Sequence, residues 1–182
     1  LATTTHDAFA AWVSDWAAGF DTIMLAPTCE LVAELNRQAR DHLLRGHPAG
    51  REVRLADGNQ ASVGNVIITR TNDRRLRLAA NDWVKNGDRW TVTHVGERGD
   101  LAVRHNRSNL TTRLPADYVR ASTGLGYAIT IHAAQGVTAD TMHGLVTGQE
   151  SRQQLYTMLT RGRVANHLYL QVVGDGDPHT LI

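Results

Sequence analysis

Two segments of the 182-residue chain concentrate side chains that do chemistry. The first is Tyr127-Ala128-Ile129-Thr130-Ile131-His132-Ala133-Ala134-Gln135-Gly136-Val137-Thr138-Ala139-Asp140. Its apolar start reads as a buried strand that delivers Thr130 and His132 to its carboxyl end. Gln135, Gly136 and Thr138 follow in the turn, and in open α/β sheets ligands collect at that edge. A lone histidine there is a rim residue with a satisfied ring. Thr, His, Gln and Gly together at one strand end are harder to assign to packing. The second segment is Gln154-Leu155-Tyr156-Thr157-Met158-Leu159-Thr160-Arg161-Gly162-Arg163. It closes an amphipathic helix on two arginines just before a strand. Cations at a helix C-terminus gain about 0.3–1 kcal/mol from the dipole alone. The other reading is an arginine on a rigid element whose planar fork reaches a phosphate.

The elements that must position these groups follow from periodicity. Residues 5–18 read as a helix capped by Thr5, with Phe9, Trp12, Val13 and Trp16 on one core-facing stripe and Gly19 as its stop. Asp21 to Ala26 reads as a buried strand. Thr28 caps a second helix with Val32, Leu35, Ala39 and Leu43 inward, closed by Gly46 and Pro48. From Arg51 the period changes to two. Short strands at Val53–Leu55, Val63–Thr69, Trp83–Val84, Trp90–Val95, Leu101–Arg104 and Leu110–Leu114 alternate with turns at Asp57-Gly58, Asn86-Gly87 and Gly99-Asp100, the signature of a small antiparallel barrel. After Tyr127 the α/β pattern returns. Strands are expected at Ala128–Ile131, Gly144–Thr147 and His167–Val173. A helix capped by Ser151 runs to Thr160 with Leu155, Tyr156 and Leu159 inward, and Gly174 to Pro178 form a loop. The fold class is α/β, with residues 1–50 and 121–182 sharing one sheet and 51–120 inserted as a barrel.

Composition bounds the possibilities. With 42% apolar and 20% charged residues the chain is globular, and no apolar run suits a membrane helix. No charged-then-apolar leader opens it, so a cytoplasmic location is expected. A first residue of Leu1 points to a piece of a longer protein. The single Cys29 excludes an internal disulfide and a zinc ribbon. Net charge is only +1, yet residues 70–120 hold 11 of the 19 Lys and Arg against 6 of the 18 Asp and Glu. That local excess suits a polyanion contact or a solvated barrel surface.

The two chemistry-bearing segments resemble motifs V and VI of superfamily 1 DNA helicases. They are most similar to the RecD-like branch, with Thr-x-His-x-x-Gln-Gly after a strand and Leu-Tyr-x-x-x-Thr-Arg-x-Arg at a helix end. Met24-Leu25-Ala26-Pro27-Thr28 with Leu35-Asn36 and Arg40 is similar to the motif IV region. Gly64 to Leu76 with Trp83-Val84-Lys85-Asn86-Gly87-Asp88 resembles the SH3-like barrel inserted in that lobe. The set is most similar to the helicase part of conjugative relaxase–helicases of the TraA, TrwC and TraI kind, and spans Asp7 to Val173. The sequence has no Gly-x-x-x-x-Gly-Lys-[Ser/Thr] and no strand-end Asp-Glu pair, both of which belong to the first lobe of that family. Asn65 stands where an acidic residue is expected.

The resemblance implies the C-terminal RecA-like lobe, a mostly parallel sheet flanked by helices and interrupted by a small antiparallel SH3-like β-barrel. It implies ATP and Mg2+, bound mainly by an N-terminal P-loop lobe as partner, and single-stranded DNA as track, with no membrane and a monomeric state. Arg161 takes the part of arginine finger. Gln135 and Gly136 couple nucleotide to DNA. Arg163 is a second phosphate ligand or, preferably, a strut, and Arg40 is the motif IV cation or a helix-surface arginine. Thr130 and His132 contact DNA. Arg70, Asn72, Arg74, Arg75 and Lys85, in a basic stretch that runs from Arg70 to Arg77 and on to Arg89, form the DNA-facing strip. Trp83 and Trp90 stack on bases or, preferably, fill the barrel core. The isolated chain is expected to lack ATPase activity. The alternative is a stand-alone nucleic-acid- or protein-binding module. A metal site on His132, Asp140 and His143 and a nucleophilic Cys29 are weaker readings.

Overall fold

A computed structural model describes residues 2–46 and 50–170. Pro48, the end of the last expected strand and the Gly174–Pro178 loop lie outside the described residues. In chain order the elements are α1 (Ala2–Ala17), β1 (Thr22–Ala26), α2 (Cys29–Leu44), β2 (Val53–Arg54), β3 (Gln60–Ala61), β4 (Val66–Thr69), β5 (Asp73–Ala79) and β6 (Asp82–Val84). There follow β7 (Arg89–Val95), β8 (Leu101–His105), β9 (Thr111–Leu114), α3 (Ala116–Ser122), β10 (Thr123–Leu125), β11 (Ala128–Thr130), a 3-10 turn (His132–Ala134), β12 (Ala139–Val146), α4 (Arg152–Leu159) and β13 (Gly162–Leu170).

Two sheets organise them. One is four-stranded in the order β11-β1-β12-β13, parallel throughout. Its central β1 is buried at every position, as a parallel strand covered on both faces must be. The other is antiparallel in the order β10-β4-β7-β8-β9, with the β2–β3 and β5–β6 ribbons as separate pairs. This is the RecA-like α/β layout with an antiparallel unit in the chain between α2 and β11. The core runs through both: Trp12, Met24 and Leu35 belong to the same cluster as Trp90, Val103 and Leu114.

Local chemistry explains most boundaries. Gly19 ends α1 at φ +87°, and the Gly19 and Phe20 N–H groups donate back to Trp16 and Asp15. The helix begins at Ala2, so Thr5 lies inside it rather than at its cap. Thr28 caps α2 by accepting from Leu31 N–H at 3.3 Å. Asp57 sits where the inserted segment leaves and rejoins the lobe. Ala56 N–H donates to Thr123 O at 2.9 Å, and Leu125 N–H donates to Asp57 Oδ2 at 2.8 Å.

Three expectations are corrected. Pro115 ends β9 but also opens the short helix α3, which leads into β10 against β4. The basic stretch is itself a strand, β5, with Leu76 and Leu78 packed on the core and arginines outward. On α4 the fully buried side chain is Met158, while Tyr156 and Leu159 are exposed.

Candidate functional site

The strand that carries the first segment is held by buried polar side chains. Asn36, on the inward face of α2, pairs with β11 as a neighbouring strand would. Its Nδ2 donates to Ala128 O at 2.8 Å, and its Oδ1 accepts from Tyr127 and Ala128 N–H at 3.0 and 2.9 Å. Tyr127 in turn accepts Val66 N–H of β4 at 3.0 Å, and burial pushes its phenol up to about 12. Thr130 ends the strand half-buried, and its hydroxyl accepts Ala133 N–H at 3.2 Å, closing the 3-10 turn. His132, Gln135 and Gly136 are exposed beyond it. Gly136 adopts φ +83°, and a Cβ built on it meets nothing within 4 Å, so the backbone angle alone calls for glycine.

Two cavities flank this strand end. One, of about 390 Å³, is lined by Thr130, Arg70, Asp57 and Asn59 together with Cys29 and Val32 at the start of α2. It therefore joins the sheet edge, the N-terminus of a 16-residue helix and a cation of the inserted unit. Desolvation lowers the pKa of Arg70 against the pull of Asp57 in the same cavity, and among the described residues its guanidinium makes no ion pair within 4.0 Å. The other cavity, of about 360 Å³, lies between the 3-10 turn and α4. Its walls are Ile131, His132 and Gln135 on one side and Ser151, Gln153, Gln154 and Thr157 on the other.

Arg161 joins the two segments. Its Nε donates to Thr157 O at 2.8 Å, Nη1 to Ala134 O and Val137 O at 3.0 and 3.2 Å, and Nη2 to Thr160 Oγ1 at 2.8 Å. The turn containing Gly136 is thus fastened to the end of α4 by one guanidinium. Arg163, one strand position beyond Gly162, is exposed and pairs with Asp140, which also accepts Asp21 N–H at 3.0 Å. Burial pushes the Asp140 carboxyl up, but that N–H and the Arg163 guanidinium outweigh it and hold the pKa below its usual value. Gly162 between them is required by space: a Cβ would overlap Ala165 O, and Asn166 bonds both Gly162 N–H and Gly162 O.

The other expected site residues are dispersed. Arg40 pairs with Glu52 and donates to Asn65 Oδ1 at 3.3 Å, tying α2 to the inserted unit and sharing no partner with Arg161. Asn65 is buried and accepts from Ser62 as well, so the position expected to be acidic is a neutral acceptor that shapes a turn. Asn72 accepts Asn86 N–H at 2.8 Å. Arg75 binds Asp73, and that side-chain bond drops the Asp73 carboxyl to about 2. Lys85 pairs with Asp82 at 2.6 Å, and Arg74 lies over the Trp83 ring. Arg89 is not on the strip at all. It is buried, and donates to Gly126 O, Asp21 Oδ1 and Thr22 O at 2.9, 2.9 and 2.8 Å, a clamp between β7 and β1. Trp90 fills the core as expected, whereas Trp83 is half-buried on the β5–β6 ribbon.

His143 does not meet His132. It is buried between Asp15 and Tyr169 at 2.8 and 2.9 Å, and among the described residues no three His, Cys, Asp or Glu side chains group to hold a metal. Sequence reasoning missed Asn36, Arg89 and Tyr127 as positioning groups. The readable signal was a polar Asn36 between Leu35 and Ala39 on an apolar helix face. No helix among the described residues is long and apolar enough to cross a membrane.

No protein-family profile matches the chain. It is 34% identical to an uncharacterized Mycobacterium tuberculosis protein, Rv2311, over 132 residues, which are 71% of this chain and 73% of that protein. It is 30% identical over 164 residues to the conjugal transfer protein TraA of Agrobacterium fabrum, covering 86% of this chain and 14% of TraA. Among solved structures it is similar to Bacteroides Pif1 bound to single-stranded DNA, with a TM-score of 0.56 at 19% identity, over 84% of this chain and 41% of that one. Pif1 helicase from Candida albicans gives 0.53 at 13% identity, over 86% and 46%. The second pair of likenesses is one of fold. The chain spans about two-fifths of the Pif1 helicases and about a seventh of TraA. The helicase-lobe resemblance of its motifs therefore holds in sequence, toward TraA, and in fold, toward Pif1.

Proposed function

The chain belongs to the family of the Mycobacterium tuberculosis protein Rv2311; from its likeness to TraA and to the Pif1 fold, and from the geometry above, we propose that it acts as the second motor lobe of an ATP-dependent translocase or helicase on single-stranded DNA, in conjugative transfer or RecD-like processing. The observation that carries this reading is the Arg161 junction: one guanidinium binds the carbonyls of the Gly136 turn and the end of α4 together. We assign the lobe to residues 1–50 and 121–182 and the inserted unit to 51–120. Sheet membership supports the division, with β10 carrying the insert's sheet slightly past residue 120.

ATP is the substrate this reading requires. The polar cavity between Gln135 and Gln154, one of whose lining residues, Thr157, accepts from Arg161 through its carbonyl, fits a wall that faces phosphates. The residues present do not fit the magnesium ion, for want of a grouped carboxylate set among the described residues, and the phosphate cradle is missing from the sequence. Both would come from a P-loop lobe. Arg161 as it stands has carbonyl and hydroxyl acceptors. Hydrogen bonds to ionised acceptors are roughly twice as strong as neutral ones. A γ-phosphoryl group in reach would draw the guanidinium off Ala134 and Val137, and so free the turn that leads back to Thr130 and His132. Thr130, Arg70 and the N-terminus of α2 line the path we assign to the DNA backbone; we assign to the same strand His132, on the wall of the neighbouring cavity, and Arg74, Arg75 and Lys85 farther along the insert. Nucleotide state is thereby linked to grip on DNA.

In a protein that carries the P-loop lobe, Arg161→Ala is expected to keep single-strand affinity and to lower DNA-stimulated ATP turnover by about 10³-fold or more. Near-normal turnover overturns the assignment. A stand-alone nucleic-acid- or protein-binding module is the second reading. It is favoured by the size of Rv2311, of which 132 aligned residues are already 73%, leaving no room for another lobe there. Its mark would be single-strand binding that ATP does not alter.

A further inference from the structure

The two tryptophans of the inserted unit sit in opposite environments. The Trp90 indole N–H donates to Thr69 Oγ1 at 3.2 Å inside the core. Trp83 is half-buried, and among the described residues its indole N–H has no acceptor. Two cations flank its ring: Arg74 Cζ lies 5.1 Å and Lys85 Nζ 5.4 Å from the centroid. Arg77 stands directly across the ribbon from it in the β5–β6 register. Lys85 is balanced by Asp82, but Arg74 has no carboxylate partner among the described residues.

The ribbon that presents this ring is held firmly at its base. Leu76 and Leu78 pack on the core. Asn72 accepts Asn86 N–H, Thr112 Oγ1 donates to Arg77 O at 3.1 Å, and the Tyr118 hydroxyl donates to Thr71 O. A π-face on an anchored ribbon costs little ordering entropy when it is used. Its cationic flanks repel a cationic guest and favour a flat ring joined to an anion, which is the chemistry of one nucleotide unit. Beyond the phosphate path at Thr130 and Arg70, we infer that Trp83 is a base-stacking platform for single-stranded nucleic acid. A base displaces one cation from the ring, and that cation takes the adjoining phosphate. This subsite rests on the single-strand-binding reading and adds to it the group that senses bases rather than backbone.

The test compares an oligothymidylate with an oligomer of the same length built from abasic sugars. Both carry the same phosphates, so contacts to the bases separate them, and the Trp83 variants assign those contacts to the ring. The whole chain is expected to prefer the thymidylate by about 5- to 100-fold at low salt. Trp83→Ala is expected to erase that preference while leaving the salt dependence of binding unchanged, because the phosphate contacts remain. Trp83→Phe, which keeps an aromatic face, is expected to retain most of it and guards against a misfolded ribbon. Three outcomes overturn the inference. Equal affinity of the wild type for both oligomers, or a Trp83→Ala variant that discriminates like the wild type, removes the platform and leaves the DNA interface standing. A wild type that binds neither oligomer removes both.

Discussion

Arginine is the residue type on which the site turns, and three arginines show how differently one side chain is used. Arg161 spends its donors on main-chain carbonyls and a hydroxyl, Arg74 lies on an indole face, and Arg89 is enclosed by two carbonyls and a carboxylate. Read along the sequence, Arg89 belongs to the run that starts at Arg70. Its partner Asp21 is 68 positions away, so nothing local marks it as buried. The clamp has a measurable weight. Breaking a buried, hydrogen-bonded ion pair from one side costs about 3 kcal/mol or more. Arg89→Met should lower unfolding stability by about that amount in urea titration. Arg89→Lys should recover little of it, because an ammonium cannot present a planar fork to three fixed acceptors. A loss under about 0.5 kcal/mol, the range of an ordinary surface change, would show that the clamp is not structural.

Helix α4 is the element that brings Arg161 to the turn, and it is only eight residues long. Short helices gain little from propagation, so their ends decide whether they form. Ser151 accepts Gln154 N–H at 3.2 Å, and Gln154 Oε1 accepts Ser151 N–H at 2.8 Å, a complete capping box. Ser151→Ala is expected to cost about 1 kcal/mol in thermal or urea unfolding. The cap was legible, since Ser, Gln and the apolar positions are adjacent in sequence. The inward face was not. Met158, rather than Leu155, Tyr156 or Leu159, fills the groove over β12, because Gly144 offers no Cβ there and its hydrogen leaves room for the Met158 methyl. That pairing joins residues on different elements, beyond the reach of helical periodicity. Similarly, β5 alternates Arg and Leu and reads as a basic run, and α3 is too short to establish a period. The parallel core strand β1, in contrast, was legible, because the apolar run Ile23–Ala26 is of strand length and is closed by Pro27.

At the scale of the whole molecule the parallel sheet is closed on its α1 side by Asp15, His143, His167 and Tyr169. His143 stacks on His167 at 5.1 Å and links Asp15 of α1 to Tyr169 of β13. Burial lowers the His143 pKa below 6.5, against the pull of Asp15. A folded value below the unfolded one means that the unfolded chain binds the extra proton. The contribution is therefore complete above about pH 6.5 and lost as pH falls through the lower folded value. Urea midpoints should drop as pH falls below about 6.5, and His143→Gln should flatten that slope. An unchanged slope in the variant would assign the pH response elsewhere. Asp15, held below its ordinary value despite burial, with His143 bonded to it, loses its share only in stronger acid. The stitch at Asp57 has a consequence of another kind. Among the described residues β1 pairs with β11 and β12, both of which follow the inserted unit in the chain, and residue 57 meets residue 125 just before β11. During synthesis at about 5–20 residues per second, the five positions of β1, four of them apolar, wait on the order of 10 s for a partner strand. The elements synthesised around β1, α1 and α2, both contact it in the finished fold and are the first apolar surfaces on offer to it until the chain returns.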